Sequence, residues 1–238
     1  LCMEADLHVL CEKLMGRTVP RCKEMIKTAY DKGLLLNVGH QRHYSTLYAN
    51  AVEVVQSGVL GDIKHIKAQW PRNNSWPFSA TEEDKKKFAS QFALPYYRDG
   101  WCKPILKEDA DFFTPEMAKA WGFKDVEQLV RWRLYDSTGG GLMAELGSHQ
   151  LDASGIFITA MRKDGEKALP LSVSATGGRH IFPLDRDCED HVYCTYEYPA
   201  PEYKEDPNKK VVVTYSSING NGFGGYGEVV MGTKGTLI

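Results

Sequence analysis

The sequence predicts a mixed α/β and α+β chain, in which a short parallel unit precedes an open, mostly antiparallel sheet packed on helices. Three observations predict this. The first 41 residues carry a strand–helix–strand pattern. A long helical pattern follows three consecutive glycines at 139–141. Short alternating runs recur near 63–70, 172–175, 192–196 and 211–215, ahead of a closing hairpin at 229–238.

The opening strand is His8-Val9-Leu10-Cys11. A helix follows with Cys22, Met25, Ile26, Ala29 and Tyr30 at helical spacing, Thr18 placed to cap it, Pro20 in its first turn and Gly33 after its end. Leu34-Leu35-Leu36-Asn37-Val38 is the second strand. Two strands around one helix imply a parallel pair with a right-handed crossover. Parallel strands end on one edge, so Glu12-Lys13 and His40-Gln41-Arg42 are expected to emerge side by side, where open α/β sheets bind ligands.

A second helix is expected over 45–56, with Leu47, Ala51, Val54 and Val55 on one face. Gly61-Asp62 then turns into a strand in which Ile66, Ala68 and Trp70 alternate with Lys67 and Gln69. Residues 71–135, rich in aromatics and proline, read as an insertion with helical pieces near 82–92 and 115–133. A helix over 142–161 follows, and then the strands of the sheet. Gly220 to Gly227 precedes a strand and joins no strand to a helix, so it reads as a loop and not a phosphate cradle.

The bulk properties narrow the function. In 238 residues, 42% hydrophobic and 25% charged, the net charge is −2 and the pI near 6.4, which gives no pull on nucleic acid or an anionic membrane surface. The six cysteines form no Cys-x-x-Cys pair and show no metal spacing, so buried thiols in a reducing, cytoplasmic setting are expected. Leu1-Cys2-Met3-Glu4 shows no initiator or signal pattern, and the end falls within a hairpin. The chain therefore reads as part of a longer polypeptide, and an export signal would lie outside it.

Chemistry gathers at few places. Glu145, His149 and Asp152 fall within about 60° of one another on an ideal helix, a spacing that suits a carboxylate-tuned imidazole and equally an exposed helix face. Lys13, at the end of a parallel strand, can stabilise a developing alkoxide or simply sit in a surface loop. His40 and Arg42 can meet an oxygen-rich ligand or form a loop ion pair. Gly139-Gly140-Gly141 is a flexible connection or a place of close ligand approach.

Five stretches, in order, resemble the glucose–fructose oxidoreductase/inositol dehydrogenase/rhizopine catabolism (Gfo/Idh/MocA) family. They are His8-Val9-Leu10-Cys11-Glu12-Lys13, Asn37-Val38-Gly39-His40-Gln41-Arg42, Ser57-Gly58-Val59-Leu60-Gly61-Asp62-Ile63, Gly140 through Asp152, and Met231-Gly232-Thr233-Lys234-Gly235-Thr236-Leu237. The resemblance implies a Rossmann domain whose carboxyl-terminal part is residues 1–41, and a substrate and oligomerisation domain over 42–238. It implies NAD or NADP, a sugar, polyol or related alcohol as substrate, and a homo-oligomer formed through the open sheet.

By position, the resemblance makes Lys13 the active-site lysine and His149 the catalytic histidine, with Glu145 where many members have aspartate and Leu14 where they have proline. Beside it, Glu12, Lys13, His40, Gln41 and Arg42 at the strand ends are expected to meet the cofactor, and Lys13, Arg42, Asp152, His149 and Trp76 the substrate, with Trp76 and Trp101 of the aromatic insertion as candidates for a wall. The Gly-rich dinucleotide fingerprint is absent from these residues, so this stretch alone is expected to be inactive. An NAD-dependent glycosidase on the same scaffold and a non-catalytic binding member are the alternatives.

Overall fold

In the computed structural model, residues 1–72, 83, 86, 92–94, 101–102, 104–182 and 184–238 are described. Strand β1 (Val9–Cys11), helix α1 (Val19–Asp31) and strand β2 (Leu36–Val38) form the expected unit, with β1 and β2 parallel and Val9 opposite Leu36. Pro20 lies in the first helical turn and Gly33 takes a left-handed φ of 61° after the last. Thr18 occupies the capping position, but its side chain makes no capping bond. Of the predicted apolar face of α1 only Ala29 is buried, while Ile26 and Tyr30 are exposed, as are Leu10 and Leu35 on the two strands.

Helix α2 (Thr46–Gln56) keeps the expected span but turns a different face inward. Tyr48, Ala51 and Val55 pack on the core, whereas Leu47 and Val54 point outward. The aromatic ring of Tyr48, stacked on Phe157 at 5.8 Å, decides the rotation, and an aliphatic count misses it.

Strand β3 (Ile63–Gln69) lies inside a six-stranded sheet. Its other members are β6 (Ser172–Gly178), β7 (His191–Pro199), β8 (Lys210–Ile218), β9 (Gly227–Gly232) and β10 (Thr236–Leu237), in the order β10-β9-β3-β8-β7-β6. Only the β3–β8 pair is parallel. A register shift between Ile63 and His65 against β9 lets Ile63 and Ile66, three apart, both face the core. On β8 the alternation is strict: Val211, Val213, Tyr215 and Ser217 are buried. A separate pair, β4 (Phe92–Leu94) and β5 (Ile105–Leu106), is antiparallel.

The predicted helical stretch at 115–133 is broken into α4 (Pro115–Trp121), α5 (Val126–Val130) and a 3-10 turn Trp132–Leu134, preceded by α3 (Lys107–Phe112). Gly122, in a left-handed conformation, ends α4, and the Asp125 side chain restarts the chain as a helix by accepting from the Gln128 amide. The expected helix near 82–92 lies mostly outside the described residues. After α6 (Asp136–Gly139), Gly140 and Gly141 both take positive φ, and a Cβ on Gly140 would come within 2.9 Å of the Ala144 Cβ. These glycines are thus demanded by the turn and are more than a flexible connection.

The predicted helix over 142–161 is two structures. Met143–Gly147 is π-helical, and α7 (Ser148–Ala160) continues it as α-helix. Helices α2 and α7 cover one face of the sheet, where Val55, Ala153, Phe157 and Ile158 meet Ile63, Ile66, Val211, Val213 and Val230. Each such aliphatic side chain contributes about 1.5–3 kcal/mol by leaving water. Strand β6, at the edge, is exposed along nearly its whole length. Cys2, Cys11, Cys22, Cys188 and Cys194 are free thiols, and Cys102, Cys188 and Cys194 are buried. Among the described residues no helix is long and apolar enough to cross a membrane, and no cluster of metal-ligating side chains occurs.

Candidate functional site

The short strand β1 ends in the turn that carries Lys13, and the Lys13–Leu14 peptide is cis. The Lys13 side chain crosses to the π-helical turn, where its Nζ donates to the Ala144 carbonyl at 3.1 Å and to that of Glu145. A widened turn loosens the carbonyl ladder of a helix, and a cation is a natural partner for the oxygens it frees. An ammonium has three donors. Two are spent on these carbonyls and one remains. Burial lowers the pKa of Lys13, with Glu145 and Glu12 opposing and Arg133 and Arg72 adding to the fall.

The π turn also separates groups that an ideal helix would align. The Glu145 carboxylate turns toward Arg133 Nε (2.7 Å) and Arg72 (3.7 Å), while Asp152 faces His43 Nε2 (3.0 Å), His40 Nδ1 (3.5 Å) and Lys167 (3.7 Å). Among the described residues, neither carboxylate hydrogen-bonds the His149 ring, so the expected orienting pair is not formed directly. The ring of His149 instead packs 5.4 Å from Trp70 and edge-on to His40 at 6.5 Å, centroid to centroid. Burial, then the positive charges of Lys13, Arg42 and His40, push the His149 pKa down to about 4, with Asp152 opposing. At neutral pH this imidazole is uncharged and able to accept a proton.

Arg42 lies beneath these groups. It is 5% exposed, donates through Nε to Tyr48 Oη (2.8 Å) and through NH2 to Gln150 Oε1 (3.0 Å), and stands 3.6 Å from Glu228 Oε1. Tyr48 and Gln150 in turn donate to the two oxygens of Glu228, at 2.7 and 2.8 Å. Arg42 also stacks over Tyr48 and Trp70, at 5.3 and 5.8 Å. The guanidinium that the sequence offered to a ligand is buried here. Two of its five N–H donors are bonded in a buried network that supports the Trp70 floor under His149.

Glu12 and Gln41 are exposed at the carboxyl ends of β1 and β2. Glu12 lies against Gly39, where a Cβ would approach its Oε1 to 3.2 Å. Trp101 is buried against Phe182 at 5.3 Å in a core cluster with Leu134, Leu142 and Leu146. Trp76 lies outside the described residues. A cleft of about 520 Å³ opens beside Lys13 and is lined also by Arg17, Trp132, Gly140 and Glu145. Arg72, Arg133, Tyr226 and Glu228 carried no signal in the sequence, and Trp70 was marked there only as one of the alternating residues of its strand. Tyr226 stacks on Trp70 at 4.6 Å, and Arg72 stacks on its ring at 5.2 Å.

Known proteins share this arrangement of elements. No family model matches the chain. Over 86 residues it is 33% identical to trans-1,2-dihydrobenzene-1,2-diol dehydrogenase of Bos taurus, which is 34% of this chain and 24% of that protein. An uncharacterized oxidoreductase of Schizosaccharomyces pombe is 30% identical over 70 residues, 29% of this chain and 19% of that protein. The structure of myo-inositol 2-dehydrogenase from Lactobacillus plantarum superposes on 99% of the chain with a TM-score of 0.61 at 15% identity, using 51% of its own length. A NAD-binding protein from Listeria innocua gives a TM-score of 0.59 at 16% identity, over 98% of this chain and 48% of its own. The chain thus spans about half the length of these solved structures, and the matched stretches cover a quarter or less of the curated relatives. The fold is one that the chain shares with these solved structures.

Proposed function

We propose that the protein is a NAD- or NADP-dependent oxidoreductase that transfers a hydride between nicotinamide and a sugar, polyol or related alcohol. Residues 1–41 would close its dinucleotide-binding domain and 42–238 form its substrate domain, with the open face of the six-stranded sheet joining copies of the chain. The observation that carries the reading is the pairing of two groups around one helical turn. The half-buried Lys13 ammonium keeps one donor, and the His149 imidazole stays neutral well below physiological pH.

The residues present fit a dinucleotide at the carboxyl edge of the parallel pair. Glu12 is exposed there, and Gly39 has no side chain to block the approach. Glu12, Lys13 and His40 would hold the cofactor, which supplies the hydride acceptor when bound. His149 takes the proton of the substrate hydroxyl. Lys13 donates its remaining N–H to the same oxygen and stabilises the alkoxide as it develops. Glu145 holds Arg133 and Arg72, and its carbonyl anchors the lysine.

The test is a change in nicotinamide absorbance when the natural polypeptide meets a panel of polyols and aldoses with NAD or NADP. Turnover that falls about 10²–10³-fold in Lys13→Met supports the reading. No absorbance change with any alcohol and either cofactor refutes it, and aglycone release without net reduction would point to a glycosidase.

A further inference from the structure

The proposed oxidation liberates a proton at His149, and that proton must leave a site walled by Trp70 and the substrate. Two buried polar atoms stand next to it without hydrogen-bond partners among the described residues: Nδ1 of His40 and Oδ2 of Asp152. They face each other at 3.5 Å. Buried polar atoms are seldom left unmatched, so a pair retained in this way calls for an explanation. The other carboxylate oxygen, Oδ1, reaches His43 Nε2 at 3.0 Å, and the His43 side chain is 47% exposed.

On the inner side, the His40 ring meets His149 edge-on at 6.5 Å between centroids. With Nδ1 turned to Asp152, Nε2 on the opposite side of the ring is the atom left for His149, directly or through one water. The groups therefore run in series from the site to solvent: His149, His40, Asp152, His43.

Building on the oxidoreductase reading, we propose that His40 is a relay and positioning residue that carries the substrate's proton from His149 to Asp152 and out through His43. The balance is simple. The substrate O–H bond breaks as an N–H bond forms on His149, while the C–H electron pair leaves as hydride to the oxidised nicotinamide. His149 then passes its proton to Nε2 of His40, which releases its Nδ1 proton to Asp152. One proton reaches solvent per turnover, and both imidazoles return to neutral. A small approach of His40 to Asp152 suffices to complete the bond that is open at 3.5 Å. The charges facing His40 are Asp152, Lys167, His43 and Lys13; burial lowers its pKa, with Asp152 opposing. A neutral ring with one proton to give and one to take is what a relay needs.

The test is His40→Gln in the natural polypeptide, with kcat, KM, pH profile and imidazole rescue measured alongside thermal unfolding. We expect kcat at saturating cofactor to fall about tenfold with KM for the alcohol little changed, less than the 10²–10⁴-fold loss for His149 itself. Added imidazole should restore kcat, and the solvent isotope effect on kcat should rise. Asp152→Asn, which keeps the ring but removes its acceptor, should slow turnover without imidazole rescue, and serves as the readout if the His40 variant does not fold. Wild-type turnover with His40→Gln unchanged, or slowed but not rescued, overturns the relay alone. A wild type that reduces no nicotinamide overturns the relay together with the oxidoreductase reading.

Discussion

Replacing Arg42 by alanine should destabilise the fold by about 3–5 kcal/mol at neutral pH, the cost of breaking a buried ion pair by removing one partner. The magnitude follows from what is lost. Two charged hydrogen bonds, to Tyr48 and Gln150, vanish, and the Glu228 carboxylate keeps only Tyr48 and Gln150. Bonds to charged groups contribute about 1.5–3 kcal/mol each, and the cation over Tyr48 and Trp70 adds to them. A typical domain holds only about 5–15 kcal/mol in total.

The loss should also depend on pH. Burial already raises the Glu228 pKa above its ordinary 4.5, against the pull of Arg42. A folded-state pKa above the unfolded one means that the folded state binds more protons between the two values. Stability therefore falls as pH rises through that window and recovers as the carboxyl is protonated. Removing Arg42 moves the pKa higher, so the variant should regain stability on acidification toward about pH 5, more than wild type does. Urea unfolding of wild type, Arg42→Ala and Arg42→Ala/Glu228→Gln at both pH values measures this. An Arg42→Ala loss below about 0.5 kcal/mol, the range of ordinary surface substitutions, would refute the buried-network account. So would a double variant no more stable than the single one.

Three further outcomes are expected. Because the His149 pKa lies near 4, kcat/KM should stay level as pH falls through 6.5 and decline only toward 4; a decline centred near 6.5 would place the base elsewhere. The same shift sets a stability trend. The unfolded imidazole gains a proton below about 6.5 and the folded one does not, so stability falls from there toward pH 4, and His149→Ala should flatten that slope in denaturant titrations. Gly232→Ala should cost about 1–3 kcal/mol in thermal or urea unfolding, since its Cβ would sit 2.0 Å from the Leu60 carbonyl oxygen, which is backbone and cannot turn aside.

Local patterning made the β1–α1–β2 unit legible, because parallel pairing needs only two apolar runs and a crossover helix between them. The inward residues of β8 were legible for the same reason: Val211, Val213 and Tyr215 alternate along one short strand. Two predictions failed where a periodicity was assumed uniform. Helix α2 rotated to bury Tyr48, whose ring outweighs Leu47. The stretch around Glu145 widened into a π turn, which sends that carboxylate to Arg133 and leaves Asp152 with His40 and His43. A 100° wheel contains no term for an inserted residue.

By itself, then, the amino-acid sequence determined the parallel opening unit, the main strands of the open, mostly antiparallel sheet, and the presence of a lysine and a histidine in stretches that resemble one family. Tertiary structure alone decided that Arg42 is buried in a network with Glu228, that Trp70, stacked on Tyr226, floors the imidazole, and that His40 stands between His149 and Asp152. The physical reason is range. Periodicity reports the side a residue prefers to face within its own element, whereas an ion pair such as Arg42 with Glu228 joins positions from different elements that only sheet order and helix packing bring together.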